Sequence, residues 1–257
     1  MLRSMKDLHG FTIGATDGDI GTVKEFYFDD VSYTVRYVVV ETGGWLSDRR
    51  VLLSPIAFRA TDWEHQRITT GLTKAKVEKS PDIDTQKPVS RQHETAFFGY
   101  YGYGPYWEGP YLWGASPNPY LGPGPVLNPA ALGREQSWNW EGRERHDPHL
   151  RSSRAVTGYH IQSTDGDIGH VEGFVVDDES WAIRYMIVDT SNWWAGKKVL
   201  VAPAWIEKVD WDQSKVHVTI TRAQIENSPE YDPAQPVERA YEQQLHGHYG
   251  QPRYWSE

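Results

Sequence analysis

The sequence predicts a mainly β protein: two copies of a small barrel or sandwich, each ending in one short helix and trailed by a Gly/Tyr-rich aromatic tail. Three observations predict it. Thr16-Asp17-Gly18-Asp19-Ile20-Gly21 returns unchanged as Thr164-Asp165-Gly166-Asp167-Ile168-Gly169. Laid on itself at that spacing, the chain aligns without a gap from Leu2–Trp107 onto Leu150–Trp255, and a repeat of that length is domain-sized. Within each copy, about five short apolar runs are separated by turn residues at the spacing of an all-β domain. The reading divides the chain into a first domain with its tail at 1–107, a Gly/Pro/charged linker at 108–149, and a second domain with its C-terminal tail at 150–257.

The first run, Gly10 to Ala15, alternates Phe11 and Ile13 and stops at the acidic turn. Aspartate hydrogen-bonds its own backbone and glycine supplies positive φ, so Asp17, Gly18, Asp19 and Gly21 read as structural turn residues of a hairpin, as do Asp165, Gly166, Asp167 and Gly169. The next run, Thr22 to Asp29, loses period two between Val23 and Phe26. A bulge near Lys24-Glu25 restores the phase in a bent strand. Thr34 to Glu41 is apolar on both faces, as is its counterpart around Ile183, Tyr185 and Ile187, so this strand is covered on two sides. Arg49–Leu53 and Lys197–Val201 follow, ended by Pro55 and Pro203. Arg67–Thr70 and Lys215–Val218 come last. The helix covers Leu72–Lys79 and Ile220–Asn227, with Thr73 and Thr221 as caps and Gln224 completing a capping box. Ser80-Pro81 and Ser228-Pro229 stop it.

Composition narrows the function classes. Charged residues at 24% and hydrophobic residues at 39% are those of a soluble globular protein. No apolar run marks a signal peptide or a transmembrane segment, so the expected location is cytoplasmic. The chain has no cysteine, which removes disulfides, thiolate metal sites and cysteine nucleophiles. A formal charge of −9 opposes phosphate binding, and nucleic acid is not expected as a partner.

Leu-Arg-Ser at the start of each copy, Thr-Asp-Gly-Asp-Ile-Gly-x-Val at the hairpin, Arg-Tyr opening an apolar strand, a proline after the next strand, and Leu-Thr-x-x-x-Val-Glu-x-Ser-Pro at the end of the first copy together resemble the PRC-barrel family. The resemblance implies two small, highly bent antiparallel β-barrels, like the cytoplasmic part of the photosynthetic reaction-centre H subunit and the C-terminal half of the ribosome-maturation factor RimM. It also implies a binding and assembly module without common catalytic residues. An accessory role in a reaction-centre or electron-transfer membrane complex, with peripheral contact to that complex, follows from the same likeness.

No catalytic constellation, cofactor motif or metal set is read from the residues. A calcium loop would need a glutamate where Phe28 stands. His246-Gly247-His248 and His93-Glu94 lack the further ligands of a zinc site. Arg36 and Arg184 lie inside apolar strands and need acidic partners; Asp29 and Asp177 are the structural ion-pair candidates. The aromatic tails supply the interaction candidates Tyr101, Tyr106, Trp107, Tyr249, Tyr254 and Trp255. The first tail, richer in rings, is expected to pack on a barrel, and the C-terminal tail to stay mobile apart from Tyr254-Trp255. The functional expectation is a non-enzymatic adaptor binding a protein partner, with its two barrels paired within the chain. The alternative is a ligand-binding module whose tails contact carbohydrate, anion or membrane head group.

Overall fold

Each repeat folds around one long, bulged strand. The computed structural model of the protein describes residues 1–81, 91–119, 150–191 and 196–255, with side chains from residue 94 in the second of these segments. The strands of the first repeat are β1 (Leu2–Ser4), β2 (Thr12–Ala15), β3 (Gly18–Asp29), β4 (Thr34–Glu41), β5 (Arg50–Leu53), β6 (Phe58–Asp62) and β7 (Arg67–Thr70), followed by helices α1 (Lys74–Glu78) and α2 (Arg91–Tyr101). The second repeat gives β8 (Leu150–Ser152), α3 (Ser153–Val156), β9 (His160–Ser163), β10 (Gly166–Asp177), β11 (Ile183–Asp189), β12 (Lys198–Val201), β13 (Ile206–Asp210), β14 (Lys215–Val218), α4 (Arg222–Glu226) and α5 (Arg239–Tyr249).

Two seven-stranded sheets result, ordered β5-β4-β3-β2-β7-β6 with β8 added on β3, and β12-β11-β10-β9-β14-β13 with β1 added on β10. The sheets are mixed rather than antiparallel throughout. β2 runs parallel to β7, and β9 to β14, because the intervening strands make a connection long enough for a parallel pairing. The register of β3 on β4 slips between Val23 and Glu25 and again between Tyr27 and Phe28, so the broken alternation at Lys24 is a bulge. β10 on β11 slips at the equivalent place, between Val171 and Gly173. Every residue of β4 from Thr34 to Val40 is buried, as its two apolar faces require.

The repeat boundaries and the compact units do not coincide. One unit is Leu8–Ser152; the other joins Met1–Asp7 to Ser153–Glu257. Leu2–Ser4 therefore completes the sheet of the second repeat, and Leu150–Ser152 that of the first. Their shared triplet Leu-Arg-Ser makes either edge chemically suitable for either strand, so the exchange leaves no trace in the pattern. Of the linker expected at 108–149, residues 120–149 lie outside the described residues.

Each repeat carries two C-terminal helices rather than one. The short helices are capped as expected: Thr73 Oγ1 accepts from Lys76 N at 3.2 Å, and Thr221 and Gln224 exchange both bonds of a capping box. The second helices, α2 and α5, occupy the Gly/Tyr tails. The expectation of a mobile C-terminal tail fails here. Ring counting omitted Glu242, Leu245 and His246, which are buried along α5 together with Tyr249. Trp205 meets Tyr249 at 4.7 Å and His246 at 5.3 Å between ring centroids. Among the described residues no helix is long and apolar enough to cross a membrane.

Candidate functional site

The acidic turn ties a hairpin to a helix start. Gly18 and Gly166 adopt φ of 131° and 148°, open to glycine alone among common residues. The second glycine of the motif serves close approach: a Cβ on Gly21 would lie 2.0 Å from the Glu41 carbonyl oxygen, and one on Gly169 2.0 Å from that of Asp189. Asp17 Oδ1 accepts from Lys74 N and Asp165 Oδ1 from Arg222 N, each at 2.8 Å, so both carboxylates cap helix starts from a distance in sequence. The backbone N–H of Arg222, with the Ser163 hydroxyl, holds the Asp165 carboxyl below its usual range. Asp19 pairs with the Arg67 guanidinium, whose hydrogen bond lowers its pKa likewise. Asp167 is exposed. At the other end of each short helix a cation meets the last carbonyls: Arg49 donates to Glu78 and Ser80, Lys197 to Glu226 and Ser228, where the helix dipole favours positive charge.

The paired aspartates after β3 divide their work. Asp29 Oδ1 accepts from Val31 N at 2.9 Å and Ser32 N at 3.0 Å, shaping the turn, while Oδ2 lies 3.5 Å from Arg36 Nη2. Asp30 Oδ2 accepts from Arg151 Nε on β8 at 2.7 Å. Arg36 is 2% exposed. It donates to the Leu112 carbonyl at 2.5 Å and to Ser32 Oγ at 3.0 Å, and its guanidinium carbon lies 3.7 Å from the Tyr106 ring centroid and 4.8 Å from that of Trp113. Burial pulls the Arg36 pKa down, against the pull of Tyr106, Asp29 and Glu94. The ring faces recover part of the lost hydration of the cation.

Beneath this stack sits Glu94, 1% exposed. Its Oε1 accepts from Tyr37 Oη at 3.2 Å and from Tyr106 Oη at 2.6 Å. The tail is thus fastened by a buried carboxylate bridging a tyrosine of β4 and a tyrosine of the tail. Phe97 and Phe98 press edge-on to Tyr37, at 5.1 and 6.3 Å. Tyr101 stacks on Tyr103 at 5.5 Å, and half-buried Trp107 lies 5.6 Å from Phe98. Outside the stack, a groove of about 470 Å³ runs between the Asp29–Ser32 turn and the segment 106–117; Val31 and Tyr111 on its walls are 77% and 55% exposed.

The other unit builds the same fastening with different partners. Glu242, also 1% exposed, accepts from Tyr185 Oη at 2.9 Å and Tyr254 Oη at 2.6 Å, and pairs with Arg239 at 2.8 Å. Arg184 Nη2 lies 3.3 Å from Asp177 Oδ2, and its guanidinium carbon lies 4.2 Å from the Tyr254 ring centroid. Burial works to raise the Asp177 pKa, but hydrogen bonds from Ser180 and Glu179 N and the charge of Arg184 hold it below its ordinary value. His246, where the first repeat has Phe98, bridges Tyr185 Oη at 3.0 Å and the Pro252 carbonyl at 2.8 Å. Trp255 lies 4.9 Å from the His246 ring.

The arginines, the aspartates and the tail tyrosines are thus brought into one cluster per unit, and Tyr101, Tyr106, Trp107, Tyr249, Tyr254 and Trp255 all pack on the unit of their own repeat. The two glutamates were missed by sequence reasoning. The signal was present: Glu94 and Glu242 stand at matched positions, as do Tyr37 with Tyr185 and Tyr106 with Tyr254. Among the described residues no group of three or more His, Asp or Glu is placed to hold a metal ion.

Burial pushes the Tyr33, Tyr101, Tyr231 and Tyr249 hydroxyls up to about 12. Raised folded pKa values mean that stability is full below about pH 10, where tyrosine in the unfolded chain ionises, and falls as pH climbs toward 12. Phenolate absorbance is expected to rise in two stages, the second only with unfolding. A single titration of all 15 tyrosines near pH 10 in the folded protein would contradict this burial.

Residues 4–71 match the PRC-barrel domain family. That match covers the first repeat up to β7; the second repeat lies outside it, while its sheet has the same strand order. No curated protein matches the chain.

Proposed function

We propose, on the premise that residues 4–71 form a PRC-barrel domain, that the chain is a non-enzymatic adaptor holding a protein partner in the groove of the unit Leu8–Ser152. The observation that carries this reading is where exposed apolar surface falls. Of the four large apolar side chains strongly exposed among the described residues, Val31 and Tyr111 both line that groove. Pro110 and Pro117 line it too, and Arg36 lies at its base. A groove of aromatic and proline side chains suits an extended peptide segment carrying apolar residues. The second repeat has Glu179 where Val31 stands, so the two units are not equivalent as binding surfaces. The ligand-stacking alternative has less support, because Tyr106, Trp113, Phe97 and Phe98 are covered by their own unit.

The test is affinity capture from native lysate with the intact chain and with a Val31→Glu/Tyr111→Ser variant. Both positions are exposed, so the melting temperature is expected to shift by less than about 2–4 °C. The captured protein should disappear from the variant. Equal capture by both chains would remove the groove from the reading.

A further inference from the structure

Leu2–Ser4 is held in its unit by non-covalent contacts alone, since the chain leaves that unit after Asp7 and returns at Ser153. Its seat is the edge of β10, in antiparallel register Leu2 to Asp177, Arg3 to Val176 and Ser4 to Val175. Leu2 is buried, and Arg3 Nε lies 4.0 Å from Asp178 Oδ2. The equivalent seat on β3 takes the identical triplet: Leu150 opposite Asp29 and buried, Arg151 bonded to Asp30. There the strand arrives along the unit's own continuous chain. One kind of seat is therefore filled by two routes, and what it selects is local: an apolar residue to bury, an arginine to meet the second aspartate, and three residues of backbone.

We propose that Val175–Asp177 is a strand-exchange site whose partner is a second copy of this chain, each copy laying its Leu2–Ser4 on β10 of the other. Nothing in the seat distinguishes the chain's own arm from that of another copy. Reciprocal exchange closes a twofold dimer without any contact absent from the single chain. Within one chain, arm and seat are tethered at an effective concentration on the order of 1 mM. The closed single chain therefore dominates at about 1 µM protein, and exchange competes at about 1 mM.

The chain has no cysteine, so disulfide trapping is clean. Opposed residues of an antiparallel pair lie about 4.5–5.5 Å apart at Cα, within disulfide reach. The double variant Ser4→Cys/Val175→Cys, refolded from urea at about 1 µM and oxidised, should close a disulfide within its own chain. An equal mixture of the Ser4→Cys chain and a size-tagged Val175→Cys chain, refolded together at about 1 mM, should give the mixed disulfide dimer on non-reducing electrophoresis. At about 1 µM its yield should fall at least about tenfold. Leu2→Asp in both chains should abolish it at either concentration. The proposal is overturned if the double variant does not close, if the mixed dimer is no more abundant at the higher concentration, or if Leu2→Asp leaves its yield unchanged.

Discussion

Gly169→Ala should lower the stability of its unit by more than about 3 kcal/mol, and Gly21→Ala should do the same in the other. The methyl group of either would lie 2.0 Å from a backbone carbonyl oxygen of the neighbouring strand. Relief requires separating β3 from β4, or β10 from β11, at the pairs that start those ladders. Gly169 adds a φ of 132°, which alanine resists. In thermal unfolding the first transition should fall by more than about 10 °C. Gly99→Ala is the matched control. Nothing lies within 4 Å of its added Cβ, and it sits inside α2, where alanine should stabilise by about 0.5–1 kcal/mol. Comparable melting of Gly21→Ala and the native chain would mean that the β3–β4 approach is looser than described.

Glu94→Ala should cost about 2–5 kcal/mol, because it strips the acceptor from two buried tyrosine hydroxyls at once. The informative comparison adds Tyr37→Phe. If the cost is an unsatisfied hydroxyl, the double variant should recover about 1–3 kcal/mol relative to Glu94→Ala. If the cost is only the void left by the side chain, Tyr37→Phe should recover nothing. Denaturant unfolding measures both. At Glu242 the freed Tyr185 hydroxyl keeps His246 at 3.0 Å, so the same cycle there should recover only part of the loss.

The boundaries of β4 and β7, the bulge at Lys24 and the capped short helices were legible because each is fixed by residues within a few positions. β6 was not, since Phe58-Arg59-Ala60-Thr61-Asp62 has only one large apolar residue and four of its five side chains reach solvent. α2 was hidden for a different reason. Phe97-Phe98-Gly99-Tyr100-Tyr101 has weak helix propensity, and what orders it is contact with Tyr37, distant in sequence. Of the candidate site, the arginine–aspartate pairs could be read because a cation in an apolar strand needs a partner. The glutamates were passed over because an isolated acidic residue in a tail is ordinarily solvated; their matched positions were the signal, and the tail's path supplies the reason, since both are covered.

Because Leu2–Ser4 belongs to a sheet whose central strand is made much later, synthesis and architecture run against each other. Ser4 leaves the ribosome 171 residues before its partner Val175, roughly 10–35 s at ordinary elongation rates. During that interval β3 is complete, and its edge at Tyr27–Asp29 stands open until Leu150–Ser152 is made. The triplet already at hand is Leu2-Arg3-Ser4, chemically the same strand. A growing chain therefore carries an open β3 edge and, on the same chain, an unpaired copy of the Leu-Arg-Ser triplet that will later fill it. Dilution of a finished, unfolded chain presents both triplets to both edges at once; translation presents them one at a time.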